Sequence, residues 1–298
     1  MKILVTGASG MIGRPLCKLL ESKGHELLLA GRGDPKKPNQ IKWTVGQGFA
    51  DPERIEGLDA VVHLAGESIS GGLRWTQNKK RAIRDSRVIG TRNIVDTFRS
   101  LSNKPKVFIS GSAIGYYGDR GDEILTESSP PGDTFLADVC KEWEAESLRA
   151  GELGIRTVLI RTGIVLTKDG GALGTMLTPF KMGVGGVVGT GQQWMSWVSL
   201  DDEVGIIDHA LENEAVEGPI NAVSPNPVTN EHFTRALGAA IHRPTILPLP
   251  EFAVNLIFGE MGDELLLAST RAIPKRSQQT GYRFRFPDLS EALGHALK

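Results

Sequence analysis

The sequence predicts an α/β protein, a doubly wound parallel sheet carrying a smaller C-terminal lobe. Three observations lead there. Short apolar runs alternate with stretches of helical period through the first half of the chain, the pattern of strands joined by crossover helices. The runs at residues 60–64 and 106–110 are apolar without alternation, as strands buried on both faces are. A glycine-rich turn, Thr6-Gly7-Ala8-Ser9-Gly10-Met11-Ile12-Gly13, stands between the first strand and the first helix.

The elements follow in order. Residues 3–6 read as a strand, 12–21 as a helix, 26–30 as a second strand and 41–45 as a weak third one after a Pro/Lys loop at 35–38. The strand at 60–64 is followed by a long amphipathic helix at 78–101 and the strand at 106–110. A helix at 135–150 and a sixth strand at 155–160 complete the regular alternation. Residues 170–191 carry eight glycines among Thr, Met and Phe, which predicts a loop-rich lid or subdomain wall on the substrate side. Helices are expected at 201–211 and 231–241, and Pro244, Pro248 and Pro250 mark a break into a smaller C-terminal element. The expected division is 1–164 for the nucleotide-binding domain and 165–298 for a substrate lobe, with a small terminal domain at about 248–298 and some later segments returning to the first domain.

With 298 residues, 40% hydrophobic and 23% charged, the chain has ordinary globular composition. A net charge of -1 argues against nucleic acid or an anionic membrane as partner, so any anion site must be local. Cys17 and Cys140 form neither a disulfide framework nor a metal cluster, which points to a reducing compartment. The first apolar run ends at Gly7, too short for a signal peptide, and no run approaches the length of a membrane helix. The expectation is a soluble cytoplasmic protein, monomer or homodimer, that handles a small molecule. The six histidines lack metal-ligand spacing, no Gly-x-Ser-x-Gly elbow is present, and residues 183–191 lack the Gly-Lys-Ser/Thr end of a phosphate loop, so no metal is expected.

The glycine turn has a mechanical reading. Gly7 permits the tight turn, Gly10 lets backbone approach a pyrophosphate, and Gly13 lets the helix pack close to the sheet, while helix amides face the phosphates. This is the dinucleotide turn of a Rossmann-type domain, and Thr6, Ser9, Met11 and Ile12 belong to it. After the second strand an NAD site would place a carboxylate for the ribose 2′-hydroxyl. Here Gly31-Arg32 follows instead, and a guanidinium there holds a 2′-phosphate by paired bonds. NADP(H) is the predicted cofactor and NAD the alternative.

The glycine spacing resembles that of the extended short-chain dehydrogenase/reductase superfamily. His63-Leu64-Ala65-Gly66 is similar to its fourth-strand motif beside the cofactor. Residues 88–95, Val-Ile-Gly-Thr-Arg-Asn-Ile-Val, are similar to its central-helix motif, with Arg87 where Asn is usual. Ala-Gly-Glu-Ser-Ile at 65–69, Ser-Ala-Ile-Gly-Tyr-Tyr-Gly at 112–118, Arg-Thr-Gly-Ile-Val-Leu at 161–166 and Trp-Val-Ser-Leu-Asp-Asp at 197–202 resemble one branch. That branch is the epimerase-like proteins labelled nucleoside-diphosphate-sugar epimerases or cell-division inhibitors, whose small terminal domain residues 273–282 also resemble. The resemblance implies NADP binding by Gly31 and Arg32, by Leu64, Ala65 and Gly66, and by Arg87. Arg74, Lys79, Lys80, Arg81, Arg84 and Arg87 also read as one solvated helix face, and Arg92 as surface.

Superfamily chemistry uses a Ser or Thr to polarise the substrate oxygen, a Tyr to pass a proton and a Lys four residues later to lower the Tyr pKa. Ser112, placed just beyond the fifth strand, stands where the serine belongs, and Lys141 where the lysine does. Four residues before Lys141 stands Ala137, which transfers no proton. Two readings follow. One is an NADP(H)-dependent, epimerase-like oxidoreductase for a polar, sugar-nucleotide-like substrate, with Ser112, Tyr116 and Lys141 as its catalytic set and Tyr117 or Glu67 as substitutes. The other is a non-catalytic NADP(H)-binding sensor or partner-binding protein.

Overall fold

The computed structural model describes residues 1–298. Its strands are β1 (Lys2–Thr6), β2 (Glu26–Gly31), β3 (Gln40–Thr44), β4 (Gly48–Phe49), β5 (Ala60–His63), β6 (Val107–Ala113), β7 (Ile124–Leu125), β8 (Arg156–Thr162), β9 (Ile164–Leu166), β10 (Trp194–Met195), β11 (Trp197–Ser199), β12 (Gly218–Ala222), β13 (Val228–Thr229) and β14 (Arg271–Ala272). The helices are α1 (Gly13–Ser22), α2 (Gln77–Ser100), α3 (Phe135–Leu148), α4 (Gly171–Lys181), α5 (Leu200–Glu212), α6 (Asn230–Ala240), α7 (Glu251–Phe258), α8 (Glu260–Gly262), α9 (Lys275–Gln279) and α10 (Leu289–Ala296). No helix is long and apolar enough to cross a membrane.

Eight strands form the main sheet in the order β12-β8-β6-β5-β1-β2-β3-β4, parallel throughout except for the antiparallel β4 at one edge. The order reverses between β1 and β5, the switch point outside which ligands of such sheets bind. One face is covered by α1 and α5, where Leu16 and Leu20 meet Ile206, Ile207 and Ala210 over Val5, Val62 and Ile109. The other carries α2, whose Ile94, Val95 and Phe98 pack on Leu4, Val61 and Phe108. Parallel strands without alternation in their sequence are thus buried from both sides, as their composition requires.

Three elements depart from the sequence expectation. The strand expected at 106–110 continues to Ala113, because β8 runs alongside it and pairs Ser112 with Arg161 and Ala113 with Thr162. Its Gly and Ser residues have low strand propensity, and the neighbouring strand overrides it. The Gly-Pro-Ile-Asn-Ala stretch forms the edge strand β12, where Pro219 is tolerated because an edge leaves one side unpaired. The glycine-rich 170–191 segment opens with α4, a helix held by burial of Leu173, Leu177 and Phe180 at helical spacing despite Gly174 and Pro179. These side chains join Trp197, Phe233 and Leu293 in the core of the second lobe.

Candidate cofactor and active site

The glycine turn lies at the C-terminal end of β1, beside the start of β5's outgoing loop. Gly7 has φ +71, and a β-carbon there would come within 2.8 Å of the Leu64 and Ala65 backbone. A β-carbon on Gly13 would fall 2.1 Å from the Gly7 carbonyl oxygen, so α1 starts against the turn only because both positions are bare. Gly10 is exposed, and its amide bonds to the Gly7 carbonyl at 2.9 Å. The next bond along is from the Arg14 amide to the Gly10 carbonyl, which leaves the amides of Met11, Ile12 and Gly13 without a partner in the chain. Ser9 is exposed and its carbonyl accepts from Arg14, while Ile12 packs on the core. Three free amides at a helix N-terminus form an anion site.

Thr6 ties the turn to the neighbouring strand. Its hydroxyl accepts from the Ala65 amide at 3.2 Å and shares a 2.6 Å hydrogen bond with Nδ1 of the fully buried His63. Burial, helped by the nearby Arg87 charge, pushes the His63 pKa down to about 3, so the ring is neutral. Leu64 and Ala65 are half-buried and Gly66 exposed. Beneath Gly66 lies the Arg87 guanidinium, which donates to the carbonyls of Glu67 (2.9 Å) and Ile83 (3.1 Å). Desolvation lowers the Arg87 pKa. Gly31 and Arg32 are both exposed at the end of β2, and the Arg32 guanidinium has no partner in the chain. The carboxylate nearest in effect is Glu67, which a 2.6 Å bond to Lys79 already holds ionised below the usual carboxylate range.

The cations of 74–87 expected to form a solvated helix face are mostly engaged, and Arg74 precedes the helix. Arg74 reaches the Leu256 and Ile257 carbonyls, Lys80 pairs with Glu260 at 2.7 Å, and Arg84 pairs with Glu142. Arg92, read as surface, pairs with Glu146 at 2.6 Å. Each partner lies far off in the sequence or on α3, so no local pattern announces it.

Ser112 is buried and donates to Glu144 on α3 at 2.6 Å. Glu144 in turn receives two bonds of 2.8 Å from Arg161 on β8. Burial pulls the Arg161 pKa down, but the bonds to Glu144 and the contact with Tyr117 outweigh it and hold the guanidinium above its ordinary range. Arg161 also donates to the Tyr117 hydroxyl (2.9 Å), which donates to Asn221 (2.7 Å). Strand alternation turns the next side chain, the half-buried Ala113, to the opposite face. The structure therefore places Ser112 inside a buried charged network, with a methyl group at the neighbouring position. Sequence reasoning missed Glu144 and Arg161; the only available signal was two opposite charges within otherwise buried elements.

Tyr116 is half-buried with its ring against the Arg161 guanidinium, 3.5 Å from centroid to carbon, and its hydroxyl has no partner in the chain. Lys141 is exposed, pairs with Asp138 at 2.7 Å, and is raised by that bond, with a smaller contribution from Tyr116. The charge of Lys141 responds to Tyr116 although the two are 25 residues apart in sequence, and Ala137 is fully buried. The two halves of the site meet through Met11, whose sulfur lies 2.9 Å from where a β-carbon on Gly171 would stand at the start of α4. No group of three or more His, Cys, Asp or Glu side chains is placed to hold a metal ion.

Comparison with known proteins agrees with this geometry. Residues 3–223 match the model of the NAD dependent epimerase/dehydratase family, and 249–296 match a domain of unknown function. An epimerase family protein of Mycobacterium leprae is 39% identical over 294 residues, covering 99% of this chain and 95% of that one. The crystal structure of human epimerase family protein SDR39U1 with NADPH superposes with a TM-score of 0.89 at 36% identity, over 100% of both chains. That of the nucleoside-diphosphate sugar epimerase from Corynebacterium glutamicum gives 0.81 at 36% identity, over 100% of this chain and 58% of that one. By its sheet, its glycine turn and these matches over most of its length, the chain belongs to the NAD-dependent epimerase/dehydratase family.

Proposed function

We propose that the chain binds NADP(H) on the glycine turn and exchanges a hydride between it and a small-molecule carbonyl or alcohol. The observation that carries the reading is the pairing of three free turn amides with the unpartnered Arg32, two separated anion sites such as a diphosphate and a 2′-phosphate need. Gly7, Gly10 and Gly13 with the Met11, Ile12 and Gly13 amides would hold the diphosphate, Arg32 the 2′-phosphate, and Ala65, Gly66 and Arg87 the wall between. The NADPH of the human relative supports the choice of phosphate form. When bound, NADPH would supply the hydride that a carbonyl carbon gains as its oxygen takes a proton, leaving NADP⁺. Tyr116, whose hydroxyl has no partner in the chain, carries that proton, with Lys141 of α3 as the lysine of the set. Residues 1–164 do the cofactor's share and 165–298 the substrate's, α5 and β12 excepted, which return to the sheet.

Ala137 and the engaged Ser112 favour a second reading, an NADP(H)-binding sensor that performs no turnover. One experiment separates the two. NADPH fluorescence is titrated against the protein and its Arg32→Ala variant, then followed during exposure to aldehydes, ketones, quinones and nucleotide sugars. Tight binding weakened about tenfold or more by the variant, with oxidation by some member of the panel, supports the first reading. Binding without any oxidation supports the second, and absence of binding overturns both.

A further inference from the structure

Beside the bare end of β2 stands a second cation. Thr6 pairs with Ala30 across β1 and β2, Ala30 with Ile41 across β2 and β3, and Gly31 with Lys42. The end of β1, Gly31 and Lys42 therefore lie at one level of the sheet on three neighbouring strands, each step about 5 Å. Gly31 and Lys42 also share a face. Ile41 and Trp43 point into the core beneath α2, together with Leu28 and Ala30 of β2, so alternation turns Lys42 to the side of α1. On that side Leu27 and Leu29 pack in one cluster with Ala8 and Ile12 of the glycine turn, and Gly31 is the next position along. The end of β2 is where a carboxylate for the ribose 2′-hydroxyl of NAD would stand. Here it is a glycine over which a β-carbon would meet nothing within 4 Å, and its partner in register is a lysine.

Lys42 Nζ bonds to Asp34 at 2.7 Å, and that bond holds the Asp34 carboxyl below its usual range. The two side chains are 41% and 86% exposed. A pair so open to water adds little to stability, and an anion of higher charge can take the lysine from it. Residues 32–35 make no other hydrogen bond to the chain. The loop beyond them is anchored by itself: the Lys36 amide donates to Gln40 Oε1 at 2.8 Å, and Arg54 to the Gln40 carbonyl at 2.6 Å. The pair can therefore part without disturbing β3. A phosphomonoester carries about −1.5 to −2 charges near pH 7. Arg32 alone supplies one positive charge, whereas Arg32 and Lys42 together match the phosphate.

We propose that Lys42 is the second cation of the 2′-phosphate site, exchanging Asp34 for the phosphate when NADP(H) binds. The inference rests on the NADP(H) reading above and adds to it a residue that sets the choice between NADP(H) and NAD(H). Asp34 is the place-holder: it neutralises the amine in the free protein and competes with the phosphate for it. NAD(H), with a hydroxyl at that position, leaves the Asp34–Lys42 pair undisturbed.

The test measures dissociation constants of the full chain, for NADPH and NADH by their fluorescence and for 2′,5′-ADP and 5′-AMP by calorimetry. Lys42→Met is expected to weaken NADPH and 2′,5′-ADP about tenfold each, with NADH and 5′-AMP changed less than about twofold. Lys42→Arg is expected to stay within about threefold of the wild type for NADPH. Asp34→Asn is expected to tighten NADPH about threefold, because no carboxylate then competes for the lysine. All three variants should melt near the wild type, since they touch only an exposed pair. Weakening of NADPH and NADH alike by Lys42→Met, or of neither, overturns the proposal and leaves the cofactor reading standing, as does an Asp34→Asn variant that binds NADPH more weakly. A wild type that takes neither NADPH nor 2′,5′-ADP overturns both.

Discussion

Ser112 gives its only hydroxyl hydrogen to Glu144, a carboxylate that Arg161 already grips with two bonds. Removing that hydroxyl leaves the ion pair intact, so Ser112→Ala is expected to lower urea-unfolding stability by about 2 kcal/mol with NADPH affinity unchanged. Glu144→Gln is different in kind. It leaves a buried guanidinium without its counter-charge, and the expected loss is about 3–5 kcal/mol. Glu203 on α5 makes the corresponding point about protons. Fully buried, it accepts one bond from Thr162 and its second oxygen has no partner, so desolvation pushes its pKa up to about 8. The folded state therefore holds a proton that the unfolded state has released above pH ~4.3. Stability from this site is complete below that value and falls as pH rises through 8. Glu203→Gln should flatten the fall, and melting curves at pH 6 and 9 would show the variant gaining on the wild type by roughly a few kcal/mol at the higher pH. A variant that loses equally at both pH values would falsify the neutral-carboxyl assignment.

The glycine turn separates two roles that a motif merges. At Gly13 a β-carbon collides with backbone, whereas at Gly10 it meets only the Gly7 carbonyl oxygen at 3.1 Å and otherwise faces solvent. Gly13→Ala should cost roughly 3 kcal/mol or more of folding stability and with it the whole cofactor site. Gly10→Ala should melt near the wild type yet bind NADPH at least about tenfold more weakly, because the added methyl stands where phosphate approaches. Thermal melts beside fluorescence titrations check both. This part of the protein was legible because a tight strand-turn-helix leaves the chain few options, and the burial of 60–63 was legible because parallel strands need apolar side chains on both faces. What was not legible depends on a neighbour distant in sequence. The last three residues of β6 are a strand because β8 lies alongside, and β12 contains a proline that only an edge accepts. The packing of residues 114–117 against α3 was equally hidden, since it follows from how α3 lies over the β6 end.

Across the whole molecule, the C-terminal segment returns to brace the nucleotide-binding half. Glu264 accepts the Phe135 and Leu136 amides at 3.0 and 2.9 Å, serving the N-terminus of α3 from 128 residues away, and burial raises its pKa. Glu264→Ala is expected to cost about 1–2 kcal/mol and, in hydrogen exchange, to speed exchange first at the amides of residues 135–137. Uniform acceleration over the chain would instead mean a global loss of stability. The edge strand β12 has a consequence of another sort. During synthesis the first seven strands of the sheet emerge before it, and until residue 222 has left the ribosome the flank of β8 stands open. An unpaired strand flank is a template for pairing with other chains. Nascent protein stalled between residues 162 and 218 thus exposes a longer open flank, which the short β12, its own edge blunted by Pro219, then replaces.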